Sequence, residues 1–300
     1  MDPDDTTVCV LGGGTMGRGI AYACAAAGCD VRLRDVDAGQ LDAAEEYLAA
    51  TTDDAVSRGL LSETEAEAVR DRVQTTTELG SAAADADLAV EAVPEELELK
   101  TAVLSEAESH LPADAVVASN TSSLPLTSVA AGLSAPERVV GLHFFNPVHA
   151  MDLVEVVLAE QTTPAVREFA ESFVTALGKR PVTVTDAPGF ATSRLGALQG
   201  VEAVRMLETG VADPRDVDEA MERGYGHPVG PIELTDTVGL DVRLDILEHL
   251  REELGERFKP PALLRRKVRA GKLGKKTGEG FYVWDEGEIV GVADGVGGRQ

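Results

Sequence analysis

Three hundred residues with 44% hydrophobic side chains can bury one large core or two modest ones, which excludes a disordered chain. Acids outnumber bases 52 to 27, a formal charge of −25, and such a surface argues against nucleic acid or an anionic membrane as a partner of the whole molecule. Only seven of the bases are lysine; an acid-coated, lysine-poor surface is the pattern of salt-adapted proteins, so a halophilic source is expected.

No run approaches the ~18 apolar residues of a membrane span. Met1-Asp2-Pro3-Asp4-Asp5 is the opposite of a signal peptide's basic start, so a cytoplasmic protein is expected. Cys9, Cys24 and Cys29 are odd in number and lack C-x-x-C spacing, which points to reduced core thiols with neither a disulfide framework nor a metal site.

Thr7–Leu11 reads as a strand running into Gly12, Gly13, Gly14, Thr15, Met16 and Gly17, with a small-residue helix behind them. This is G-x-G-x-x-G between a strand and a helix. Gly12 permits the tight turn, Gly14 lets the backbone approach a pyrophosphate, and Gly17 lets the helix close on the sheet. The helix N-terminus presents free N–H groups to the phosphates. A second strand, residues 30–35, ends in Asp35, eighteen residues after Gly17, where an acid can hold a ribose 2′-hydroxyl. Asp35 would repel a 2′-phosphate, so NAD is expected over NADP, although Arg34 stands beside it.

Residues 38–74 have the composition of a helical hairpin, broken at Ser57-Arg58-Gly59, with a capping box at Ser62 and Glu65. Arg58 sits at its tip between two acidic helices. Strands resume at residues 88–92 and 115–119 with a helix between them, which implies a parallel, doubly wound sheet with its ligands at the carboxyl ends of the strands. Two polar loops lie there. Val93-Pro94-Glu95 leads towards Lys100, and Asn120-Thr121-Ser122-Ser123 could cap a helix or bond a substrate oxygen.

Next comes the stretch the chain is organised around, residues 139–156. His143 ends an apolar run, and twelve residues later Glu155 lies among valines. A carboxylate there needs a cationic partner, and an imidazole oriented by a carboxylate moves protons near neutral pH. The bland alternative is a core histidine and an edge-strand glutamate. Residues 181–185 supply one more strand. From about Asp186 to Trp284 the chain reads as all helix: Asp213-Pro214 opens one helix, Gly224 stops it, and Leu240, Leu244, Leu247, Leu250 and Leu254 make a buried stripe. Residues 257–276 hold nine bases and no acid, either an attractor for a polyanionic ligand or a seam against acidic surface. The last dozen residues are Gly-rich and are expected to be loose. The expected fold is therefore α/β, a Rossmann-type sheet with a hairpin insertion over residues 1–186, followed by an all-α domain over 187–300.

Taken together, G-G-G-T-M-G at 12–17, S-N-T-S-S at 119–123, G-L-H-F-F-N-P at 141–147, A-P-G-F at 187–190, G-P-I-E-L-T-D at 230–236 and K-L-G-K-K-T-G-E-G-F-Y at 272–282 resemble the 3-hydroxyacyl-CoA dehydrogenase family, and within it the short 3-hydroxybutyryl-CoA dehydrogenases. The likeness spans nearly the whole chain. It implies NAD contacts at Gly12, Gly13, Gly14, Thr15, Met16, Gly17, Asp35, Glu95, Lys100, Ser122, Asn146 and Lys276. His143 corresponds to the catalytic histidine, Glu155 to its orienting acid, and Ser122 to a residue touching both the substrate oxygen and the cofactor. Thr51 and Arg58 fall where the family's hairpin contacts CoA. The resemblance also implies an acyl-CoA substrate and a homodimer, with the helical domain serving dimerisation and cleft closure. One departure stands out. Ser193 occupies a substrate-pocket position where the family has asparagine, so the acyl group is held differently. A dehydrogenase of a CoA-free hydroxy acid or sugar acid, and a non-catalytic dinucleotide-binding protein, remain as alternatives.

Overall fold

β1 (Thr7–Leu11) is an interior strand of an eight-stranded sheet, as four of its five residues are apolar and fully buried. The computed structural model describes residues 2–296. β2 (Asp30–Arg34) and β3 (Val73–Thr76) lie to one side of β1. On the other follow β4 (Leu88–Glu91), β5 (Val116–Ser119), β6 (Val139–Phe144), β7 (Leu153–Leu158) and β8 (Arg180–Thr185), giving the order 3-2-1-4-5-6-7-8. β1 to β6 run parallel; β7 turns back antiparallel to β6, and β8 runs parallel to β7. The order reverses at β1 and β4, the switch point where a doubly wound sheet binds its ligand. The Rossmann-type sheet expected from the sequence is therefore present. β4 and β5 are buried along their whole length, which suits the apolar side chains that precede the polar ends Glu91 and Ser119.

The hairpin insertion consists of helices Ala38–Ser57 and Glu63–Asp71, and the second opens with the predicted capping box at Ser62 and Glu65. It ends earlier than residue 74. Val73-Gln74-Thr75-Thr76 pair with β2 as a strand, because β-branched residues favour a pleated surface over a helix end. Cys9, Cys24 and Cys29 are free and buried, and burial pushes the Cys9 thiol up to about 12 and the Cys29 thiol up to about 11, which makes both poor nucleophiles.

The chain divides into two compact units, Met1–Ala187 and Pro188–Gln300. The second is helical, with its own core of Leu240, Leu247 and Leu250, all fully buried, together with Phe258, Phe281 and Tyr282. Asp213 is the N-cap of helix Pro214–Tyr225, as expected, but the stop is Gly226, which takes the left-handed conformation (φ 73°). Gly224 lies inside the helix. The unit is not all helix as expected: β9 (Tyr282–Asp285), where the helical reading ran to Trp284, pairs with β10 (Glu288–Val292), which runs into the end expected to be loose. Glu286 and Gly287, both at positive φ, form its two-residue turn. Asp236 fastens this hairpin, accepting from the Phe281 and Tyr282 amides and the Trp284 indole at 2.8, 2.9 and 2.9 Å. The tail from 297 onwards lies outside the described residues. No described helix is long and apolar enough to cross a membrane.

Candidate active site at the carboxyl ends of the strands

The glycine turn leaves β1 at the switch point. A Cβ on Gly12 would lie 2.8 Å from the Ala92 carbonyl, and one on Gly17 would lie 1.7 Å from the Gly12 carbonyl, so both positions are fixed by the protein's own backbone. Gly14, the N-cap of helix Thr15–Ala27, is different: a Cβ there would meet nothing within 4 Å. The open side leaves room for a dinucleotide phosphate at this helix N-terminus. Thr15 is exposed and Met16 half-buried beside it. Asp35, at the end of β2, accepts from the Gly13 and Asp37 amides at 2.6 and 2.9 Å, which aims its carboxylate across the turn. These residues fit a bound NAD.

β4 and β5 end side by side at Glu91 and Ser119. Glu91 has no exposed surface and accepts from Lys100 Nζ (2.7 Å), the Val93 amide (2.7 Å) and Ser119 Oγ (2.6 Å). Desolvation pushes its carboxyl up, against the pull of Lys100 and these hydrogen bonds. Lys100, only 1% exposed, also reaches the Val93 carbonyl at 3.0 Å and Glu95 Oε2 at 3.2 Å. Glu95 in turn accepts from Thr121 Oγ1 and from the Ser122 and Ser123 amides at 2.6, 2.8 and 3.0 Å. Burial would raise the Glu95 carboxyl, but Lys100 and these donors hold it below the usual range. The sequence singled out Glu95, Lys100 and Ser122; the structure joins them in one network, with Ser122 Oγ 3.3 Å from Glu95. Glu91, the buried anchor, was missed. A glutamate closing an otherwise apolar strand, nine residues before one of only seven lysines, is the signal that could have found it.

His143 and Glu155 face each other directly across the antiparallel β6–β7 pair. A separation of twelve residues thus becomes one cross-strand contact, with His143 Nδ1 2.8 Å from Glu155 Oε2. Both are buried. With Glu155 ionised, Nδ1 must be the donor, and Nε2 carries the ring's lone pair. The Phe144 amide donates to Asn120 Oδ1 at 2.9 Å, which ties the strand carrying His143 to the loop carrying Ser122. Asn146 is exposed on the loop joining β6 to β7. Lys179, Tyr47 and Gly19 hold that loop. Lys179 Nζ donates to the Val148 and Met151 carbonyls at 2.7 Å each, Tyr47 Oη and His149 Nδ1 lie 3.1 Å apart, and Val148 fills the space left by Gly19.

On the insertion, Thr51 and Arg58 lie seven residues apart, hence on one helix face. Arg58 caps the helix C-terminus and forms an exposed 3.4 Å pair with Asp54. In the second unit Ser193 is half-buried in the first turn of helix Thr192–Glu208, and Lys276 Nζ pairs with Asp241 at 2.6 Å. The basic run of residues 257–276 is chiefly a seam: Arg265 pairs with Glu248, Lys272 with Glu279 at 2.5 Å, and Lys259 with Glu256 at 3.6 Å.

A phosphate-ready glycine turn and a buried acid–imidazole pair on one doubly wound sheet define a nicotinamide-dependent dehydrogenase. Comparison with known proteins narrows the class. Residues 7–187 match the model described as the 3-hydroxyacyl-CoA dehydrogenase NAD-binding domain, and residues 189–284 match the C-terminal domain of the same family. The chain belongs to the 3-hydroxyacyl-CoA dehydrogenase family and is an NAD-dependent oxidoreductase, as its motifs led one to expect. A probable 3-hydroxybutyryl-CoA dehydrogenase of Bacillus subtilis is 40% identical over 284 residues, covering 93% of this chain and 97% of the relative. The 3-hydroxybutyryl-CoA dehydrogenase of Mycobacterium tuberculosis is 40% identical over 278 residues, covering 92% and 97%. Among solved structures, M. tuberculosis FadB2 superposes with a TM-score of 0.89 at 40% identity, covering 93% of this chain and 98% of that one. The (S)-3-hydroxybutyryl-CoA dehydrogenase PaaH1 of Ralstonia eutropha gives 0.89 at 36%, covering 93% and 99%.

Proposed function

We propose that the protein reversibly oxidises (S)-3-hydroxyacyl-CoA to 3-ketoacyl-CoA with NAD, and that 3-hydroxybutyryl-CoA and acetoacetyl-CoA are its working pair. Bound NAD supplies the acceptor for the hydride that leaves C3. His143 takes the hydroxyl proton through Nε2, and Glu155 compensates the imidazolium that forms, which an apolar site otherwise disfavours. The observation that carries this reading is the 2.8 Å contact between the two buried side chains. Ser122, held by the Glu95–Lys100–Glu91 network, orients the substrate oxygen. Gly12, Gly13, Gly14, Thr15, Met16, Gly17 and Asp35 hold the dinucleotide, with Glu95, Lys100, Asn146 and Lys276 as its further contacts. Thr51 and Arg58 take the CoA moiety, Arg58 by pairing with a phosphate, and Ser193 faces the acyl group.

The acid-rich composition supports a salt-adapted protein. Exposed apolar side chains of the helical unit, among them Leu195, Val211 and Tyr225, support a homodimer.

The test is NADH oxidation in molar KCl with acetoacetyl-CoA, free acetoacetate and a sugar-acid ketone in parallel. Turnover of the thioester alone is expected. Equal turnover of free acetoacetate would sink the CoA reading, and NADH binding without any turnover would favour a non-catalytic dinucleotide-binding protein. His143→Gln should lower kcat by at least ~10²-fold with NADH binding retained.

A further inference from the structure

Two adjacent phenylalanines follow His143, and the structure gives them different duties. Side chains alternate across a strand, so Leu142 and Phe144 point to one face of the sheet and His143 to the other. Leu142 and Phe144 belong to the buried core of the first unit. Phe145, the first residue past β6, continues the alternation and returns to the side of His143. Its ring lies against the imidazole, with centroids 4.5 Å apart and planes inclined by 51°. Phe145 is half-buried, so the core makes less use of it than of Phe144, which is 2% exposed.

The contact with Glu155 does not by itself fix the imidazole. It holds Nδ1 at 2.8 Å, and together with the bond to Cβ it defines two points about which the ring can still tilt. Such a tilt displaces Nε2, the atom that must meet the substrate hydroxyl, while leaving the Nδ1 contact nearly intact. A phenyl ring packed against the imidazole opposes it. The same ring also distinguishes the two protonation states. Its face is electron-rich and attracts a cation within about 6 Å of the centroid, most strongly where water is excluded. The imidazolium meets that distance in a buried site, whereas the neutral imidazole gains only ordinary ring packing.

We propose that Phe145 is a positioning residue for the reaction: it stops the tilt of the His143 ring and, with Glu155, favours the charged form as the proton arrives. The proton still passes from the substrate oxygen to Nε2 and the hydride from C3 to NAD; Phe145 takes part in neither transfer. The inference rests on the reading that His143 accepts that proton.

The experiment compares wild type, Phe145→Tyr, which keeps the ring, and Phe145→Leu, which keeps apolar bulk without it. The readouts are KM for (S)-3-hydroxybutyryl-CoA, the single-turnover rate of NADH formation in H2O and D2O, NADH affinity by calorimetry, and the melting curve. Phe145→Leu should lower the single-turnover rate by about tenfold. KM and NADH affinity should stay near wild type, and the solvent isotope effect should grow because proton transfer then carries more of the barrier. Phe145→Tyr should keep most of the wild-type rate. A wild-type rate in Phe145→Leu overturns the proposal, as does a loss confined to KM or an equal loss in Phe145→Tyr. If the leucine variant does not fold, Phe145→Met makes the same comparison. His143→Gln measured alongside separates this idea from the reading beneath it. Turnover intact in His143→Gln removes both, whereas turnover lost there but intact in Phe145→Leu removes the role of Phe145 alone.

Discussion

Glu155→Gln tests the acid–imidazole pair most directly, because glutamine keeps the shape and one carbonyl acceptor while removing the charge. Opposite unit charges about 4 Å apart attract by about 4 kcal/mol at an effective dielectric of ~20. The pair here is buried, with 2.8 Å between Nδ1 and Oε2, so a figure of this order is appropriate. At ~1.4 kcal/mol per tenfold in rate, full development of the imidazolium would be worth roughly 10³, and half-development at the transition state roughly 30-fold. Glu155→Gln should therefore lower kcat for (S)-3-hydroxybutyryl-CoA oxidation by between about 30-fold and about 10³-fold. NAD affinity should be unchanged, because neither residue lies on the glycine turn. The assay is initial-rate NADH formation at saturating NAD, with a melting curve to confirm the fold and calorimetry for NAD. A folded variant turning over within about threefold of wild type would refute the reasoning, since the charge would then do no work on the ring.

The glycine turn separates a folding role from a binding role. Gly17→Ala drives a Cβ into the Gly12 carbonyl and should destabilise the first unit by about 3 kcal/mol or more. Gly14→Ala should melt with wild type yet bind NAD at least ~10-fold more weakly; normal NAD affinity in that variant would remove the phosphate from this site. Lys100→Met strands Glu91 without its ammonium and should cost about 3–5 kcal/mol in chemical denaturation, most of it recovered when Glu91→Gln is added. Additive losses would show that the two do not act as a pair. The acid limb of stability provides a fourth check. Burial opposes ionisation of Glu108, but the Ser134 and Ala135 amides and Arg138 outweigh it and hold the carboxyl below its usual value. A depressed carboxylate stabilises the fold fully above its unfolded value, near ~4.3, and less as pH falls through the folded one. Glu108→Gln should thus be less stable than wild type at pH 7 and converge with it in acid. Parallel curves would reject the assignment, and the comparison cancels Glu91, Asp218 and Asp236, which burial pushes up.

The parts legible in the sequence are those written in local spacing. Gly12, Gly14, Gly17 and Asp35 announce the turn and its acid because a strand–turn–helix has fixed offsets. The valines around Glu155 betray a carboxylate that must be paired, and the strand register completes the contact with His143. What stayed hidden depends on neighbours remote in sequence. Glu91 and Ser119 meet only because β4 and β5 lie side by side, twenty-eight residues apart. Whether the bases of residues 257–276 attract a ligand or form a seam is decided by Glu248, Glu279 and Asp241, which the run itself does not contain. β9 and β10 are hidden for another reason. Asp285-Glu286-Gly287-Glu288 is a serviceable two-residue turn, but it lies between a stretch that reads as helix to Trp284 and glycines that read as a loose tail.

The reversal of β7 has a consequence for how this catalyst can diverge. Acid and base come from adjacent arms of one short excursion of the chain, so their alignment is inherited from main-chain ladder bonds, independent of how distant parts of the molecule assemble. Insertions or deletions beyond Asn146, over residues 147–152, can reshape the tip of the loop while His143 and Glu155 stay in register.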